Sequence, residues 1–253
     1  MGSPLHEHLG LHGWDCDSMR RCEGAAELEL HDGHHHARMH EILSSIPELD
    51  GTGMLRASAK AAFGDALAQL LDGVQECERG AQAEAYYAYL GLGMVWLDTI
   101  TSGELHAPTS HVARAWMRRE HAGPAHVCTV TEGFLEAAVA ALTGRTATIR
   151  EVACAAADAP RCRFAIEWHD EVACTPPRKL HAHHGPRTTL SGDVEGLIRI
   201  GADELAHVPV GLYVQAIADW LARAASRGAP VLAHAIAKLD HVSAPENPTL
   251  RVV

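Results

Sequence analysis

Apolar residues recur at helical spacing through several stretches of this chain, and at a spacing of two through others. In "HHHARMHEILSSI", Met39, Ile42, Leu43 and Ile46 fall on one face and predict a helix over 34–46, broken by "PELDG". From 53 to about 74, Leu55, Ala59, Phe63, Ala66, Leu67, Leu70 and Leu71 mark a second amphipathic helix, and a third is expected over 83–90. The period then changes. "MVWLDTITSGELHAP" predicts two strands joined by a turn at Ser102 and Gly103. Ser110 is the expected N-cap of a helix over "SHVARAWMRRE", and 131–142 forms another that Gly144 closes. "TATIREVACAAA" and "RCRFAIEW" alternate as an antiparallel pair around "DAP". Beyond them "VEGLIRIGADELA", "GLYVQAIADWLARAAS" and "PVLAHAIAKLDHV" read as helices.

This order of elements predicts an α+β fold, an antiparallel sheet packed with helices. Residues 1–52 are expected to be an N-terminal arm, irregular or a short strand pair up to 33, followed by the first helix. The main domain covers 53–170. A linker rich in Pro, Gly and His spans 171–193, and C-terminal helices over 194–253 pack on the main domain.

Composition narrows the function classes. A formal net charge of −11 with no Lys/Arg cluster argues against nucleic-acid binding. The apolar runs are too short to span a bilayer, so no membrane association is expected. No basic start followed by an apolar block precedes the domain, and a cytoplasmic location is the expectation. Seven cysteines, an odd number, favour reduced thiols over a disulfide framework. Nineteen histidines are roughly three times the usual share and ask for an explanation.

The segment "CTVTEGFLEAAVAALTGRTATIREVACAAADAPRCRF" carries the densest chemistry. Glu151 and Cys154 lie near the end of one predicted strand, and Cys162 opens the next. A hairpin brings the three side chains within several ångströms, and Cys128 starts the helix before it. Thiolates with a carboxylate suit zinc, and four protein ligands would make a closed, structural site. Small buried core cysteines fit the same spacing.

The same segment resembles the 4-vinyl reductase domain. The likeness rests on Gly133 and Phe134 opening the helix, the Gly144–Arg145 stop, Glu151, Val152 and Cys154, and the run from Ala159 to Phe164. "YLGLGMVWLDTITSGELHAPTSHVARAW" resembles the family's preceding segment, so the likeness covers about 53–168. It implies a sandwich like that of TRAPP trafficking subunits, a homodimer, and a Zn2+ ion held by Cys128, Glu151, Cys154 and Cys162. It further implies a buried pocket for a small hydrophobic or aromatic molecule, as in the phenol-sensing relatives. Candidates to line it are Phe63, Tyr89, Trp96, His106, Trp116 and Phe134, for which core packing is the competing role.

No GxxxxGK[ST] loop or helix-turn-helix accompanies these motifs, so the expected roles are a stand-alone sensor or carrier. The alternative is a metalloenzyme with an open, His-rich iron or copper site. His36 and His40, four apart on one predicted helix face, and His34 are its first candidates. Solvent-facing histidines explain the same pattern. The templates GxSxG, GxGxxG and HExxH are absent.

Overall fold

The computed structural model describes residues 28–119, 126–169, 195–200 and 203–243. The linker expected at 171–193 and most of the arm at 1–33 lie outside the described residues. Strand β1 (Leu28–Asp32) runs directly into helix α1 (Gly33–Ser44), where the Asp32 carboxylate accepts from the His35 N–H at 2.7 Å as an N-cap. Helix α2 (Gly51–Leu70) buries Leu55, Ala59, Phe63, Ala66, Leu67 and Leu70, the apolar face expected from its period. Helix α3 spans Glu76–Tyr89, a full turn and more before the start its apolar pattern suggests.

Strands β2 (Gly93–Trp96) and β3 (Glu104–Ser110) follow, linked through a short 3-10 turn that Gly103 ends at φ 79°. Ser110 then caps α4 (His111–Met117), its hydroxyl accepting from the Ala113 N–H at 3.2 Å. Helix α5 (Thr129–Thr143) leads to β4 (Ala147–Ala153), and β5 (Cys162–Trp168) returns antiparallel to it. The first sheet has the order β2-β3-β5-β4, all antiparallel.

A second antiparallel sheet, in which β1 pairs with a strand from the C-terminal part of the chain, corrects the sequence expectation. Residues read as the first C-terminal helix form β6 (Ile198–Ile200) and β7 (Asp203–Pro209). The misreading has a physical cause. Strand β7 is buried on both faces, from Glu204 to Ala206 and again at Val208, so its sequence lacks the alternation of a half-buried strand. It pairs with β1 from Leu28↔Pro209 to Asp32↔Leu205, which draws the N-terminal strand against the last third of the chain. Helices α6 (Leu212–Arg227) and α7 (Ala229–Ser243) close the fold as their period predicts.

The interior is sealed where α2 crosses α5. A Cβ on Gly133 would lie 2.6 Å from both the Ala59 Cβ and the Arg56 carbonyl oxygen, so only glycine permits this approach. Phe134 packs edge-on against Phe63 at 5.3 Å between centroids and tilts over Tyr87 at 4.7 Å. Among the described residues, no helix is long and apolar enough to cross a membrane.

Candidate metal centre

Cys128, Glu151, Cys154 and Cys162 meet at one buried point, with one ligand atom from each lying within 4.8 Å of the others. Cys128 is the N-cap residue of α5, and Cys162 opens β5. Glu151 and Cys154 are three apart, which would place them on opposite faces of a regular strand. The register of β4 against β5 slips between Glu151↔Phe164 and Ala153↔Arg163, a bulge at the exposed Val152. The extra residue reverses the parity and turns Cys154 to the side of Glu151. A 3-10 turn over Ala155–Ala157 and left-handed Asp158 (φ 63°) carry the chain back to Cys162.

The distances test whether an ion fits. Cys128 and Cys162 sulfurs are 3.6 Å apart, and those of Cys154 and Cys162 3.9 Å. A tetrahedral zinc about 2.3 Å from each sulfur sets them about 3.8 Å apart. The carboxylate divides its work between its oxygens. Glu151 Oε2 accepts from the N–H groups of Val127 at 2.8 Å and Cys128 at 3.0 Å. Glu151 Oε1 is buried without a hydrogen-bond partner among the described residues. A buried oxygen left over in this way is the atom a cation would take. The Ala155 N–H also points at the Cys162 sulfur at 3.4 Å, a contact that favours the thiolate.

Protonation follows the same geometry. Hydrogen bonds from Cys128 and Cys154 pull the Cys162 thiol down to about 5. The bonds to Cys154 and Cys162, with burial, push Cys128 well above its ordinary value. Burial, then the neighbouring Cys154, raises the Glu151 carboxyl to about 8. One thiolate therefore forms readily while its neighbours keep their protons, because buried like charges repel. A divalent cation inverts that balance and displaces the protons.

Supporting side chains come from α5. Glu132 and Glu136, four apart and buried, accept from the backbone N–H groups of Glu151 (2.7 Å) and Ile149 (3.1 Å) on the outer strand β4. They occupy donors that an edge strand would otherwise expose and fix the strand that carries Glu151. Arg56 from α2 reaches both carboxylates at 3.5 and 3.3 Å, and Lys60 reaches Glu136 at 3.2 Å. The clue in the sequence was two glutamates four apart in a helix otherwise apolar or small.

The other candidates are dispersed among several packing groups. Trp96 meets His106 edge-on at 6.1 Å, with the Arg161 guanidinium 5.5 Å over the indole ring. Trp116 packs edge-on against His40 at 5.8 Å, and Tyr89 is buried on α3. Phe134 and Phe63 sit in the α2–α5 interior beside Tyr87. The Tyr87 hydroxyl bonds the Thr131 hydroxyl at 2.8 Å, and burial raises its pKa. Of the histidine candidates, His34 is exposed whereas His36 and His40 are buried. His36 meets His111 and Tyr213, residues its own sequence neighbourhood does not reveal. Among the described residues, only the cysteine centre groups three or more His, Cys, Asp or Glu ligand atoms.

No family model matches the chain, and no curated protein matches it. Among solved structures it is similar to one described as the phenol-responsive sensory domain of the transcription activator PoxR with phenol. Identity is 16%, the TM-score 0.45, and the match covers 66% of this chain and 92% of that one. So distant a likeness assigns no function.

Proposed function

We propose that this chain is a zinc-stabilised α+β domain that binds a small hydrophobic or aromatic molecule in its interior, as a sensor or carrier. Cys128, Glu151, Cys154 and Cys162 hold the ion, and four protein ligands leave it no open position for substrate or water. The observation that carries the metal reading is the pair of sulfur separations, 3.6 and 3.9 Å, beside Glu151 Oε1, which has no hydrogen-bond partner among the described residues. When bound, zinc ties β4 and β5 to the start of α5, and its binding energy becomes folding energy.

The ligand part of the reading rests on the resemblance of 133–164 to the 4-vinyl reductase domain. Trp96 and His106, which meet edge-on, are its proposed lining, and a cytoplasmic homodimer is the proposed form.

Metal analysis of the purified chain tests the first part. About one zinc per chain, resistant to chelator until the fold opens and lost in Cys162→Ser, supports it. Metal-free protein with wild-type stability refutes it. Melting with phenol as probe tests the second part. A rise that disappears in the Trp96→Ala/His106→Ala double variant supports a pocket at these side chains. No rise at any concentration refutes phenol-type binding and leaves the zinc result standing.

A further inference from the structure

Away from the cysteine centre, β1, α1, α4 and α6 bring together His31, His35, His36, His111 and Tyr213. His36 and His111 are almost fully buried, at 2% and 0% exposure. Their rings cross at 80° with centroids 5.0 Å apart. The Tyr213 hydroxyl bonds His36 Nδ1. Among the described residues, His36 Nε2 and both ring nitrogens of His111 have no hydrogen-bond partner. Core packing explains the rings but not three orphaned nitrogens at one place.

We infer that His36 and His111 are the protein ligands of a second, buried transition-metal site, with Tyr213 positioning His36. Two imidazoles on one tetrahedral ion, at about 2.0 Å per nitrogen, place their ring centres about 5 Å apart. The observed separation is 5.0 Å. Donation of His36 Nδ1–H to the Tyr213 oxygen gives the buried Nε2 the lone pair, the tautomer that outer partners impose on metal-bound histidines. Burial holds both imidazoles neutral, the form that binds metal, and lowers His111 to about 4.

Imidazole donors select borderline first-row ions such as Co2+, Ni2+, Cu2+ or Zn2+. With two protein ligands among the described residues the site is open, unlike the cysteine centre, and small exogenous donors complete the shell. The half-buried His31 and His35 rings stack at 4.1 Å beside it, with centroids 6.0 and 6.4 Å from His36. The site is independent of the zinc reading. It also replaces the grouping of His36 with His34 and His40, since the partner ring comes from α4.

The test adds Co2+ to the full chain after a chelator has stripped weakly held metal and left the tightly held zinc in place, followed by melting temperature and visible absorption. Expected are a rise in melting temperature and cobalt bands without sulfur charge transfer, which would betray displacement at the cysteines. His111→Leu should abolish both, and His34→Ala should change neither. Tyr213→Phe keeps the ring and should weaken cobalt binding about 10–100-fold. The inference is overturned if His111→Leu responds like the wild type or if His34→Ala loses the response equally, which would mark adventitious surface binding only. It is also overturned if cobalt stabilises nothing. Should His111→Leu fail to fold, unchanged cobalt affinity in Tyr213→Phe overturns it.

Discussion

Glu151 offers the sharpest separation of scaffold from ligand, because its two oxygens do different work. Oε2 accepts two buried backbone N–H groups, at 2.8 and 3.0 Å, while Oε1 has no hydrogen-bond partner among the described residues and is the proposed ligand atom. Glu151→Ala removes both functions. Each N–H left without an acceptor costs about 1–3 kcal/mol. The metal-free variant should therefore lose about 3–5 kcal/mol, or on the order of 10 °C in melting temperature for a chain of this size. Glu151→Gln keeps an oxygen for both donors and should stay within about 1 kcal/mol of metal-free wild type. Burial already favours the neutral acid in the metal-free chain, and glutamine is its isostere. Both variants lose the anionic ligand, so both should bind zinc far more weakly. Urea unfolding followed by tryptophan fluorescence, with chelator and with zinc, reads the first quantity. Competition with a chromophoric chelator reads the second. Equal destabilisation of the two variants in chelator, or wild-type zinc affinity in Glu151→Gln, would refute this division of labour.

Glu136→Ala should cost about 1–3 kcal/mol in urea unfolding, because it leaves the buried Ile149 N–H without an acceptor and takes one carboxylate from Lys60, while Arg56 keeps Glu132. Glu136→Gln should recover part of that loss by keeping the bond to β4. Gly133→Ala should cost about 1–3 kcal/mol by forcing α2 and α5 apart, with a matching drop in melting temperature; an unchanged midpoint would contradict the close crossing. Burial lowers His40 and His111 from 6.5 to about 4, and His36 well below 6.5. The folded chain then binds fewer protons than the unfolded one across that window, so stability present above pH 6.5 is lost as pH falls towards 4. His40→Leu should flatten the stability–pH slope in that range by about one proton, measured from urea midpoints at several pH values.

Much of the fold was legible along the chain. The periods of α1, α2, α4, α5, α6 and α7 carry their own apolar faces, and Ser110 and Gly144 announce their caps. The β4–β5 hairpin could be read from alternation, and with it the approach of Glu151, Cys154 and Cys162. The second sheet could not. Strand β7 is covered on both sides, so its pattern matches a buried helix as well as a strand, and its partner β1 lies over 170 residues earlier. Likewise Glu132 and Glu136 look like ordinary helix carboxylates until β4 is laid against them.

By itself, then, the sequence determined what local spacing can encode: which segments coil, which extend, where they stop, and which residue types can bind metal. Tertiary structure alone decided which of those residues meet. The bulge at Val152 that turns Cys154 towards Glu151, the β1–β7 pairing, and the contact of His36 with His111 and Tyr213 all join positions remote in the chain. Periodicity reports the environment of one element averaged over its own length. The identity of the neighbour across an interface is fixed only when the elements pack and the buried polar atoms find, or lack, their partners.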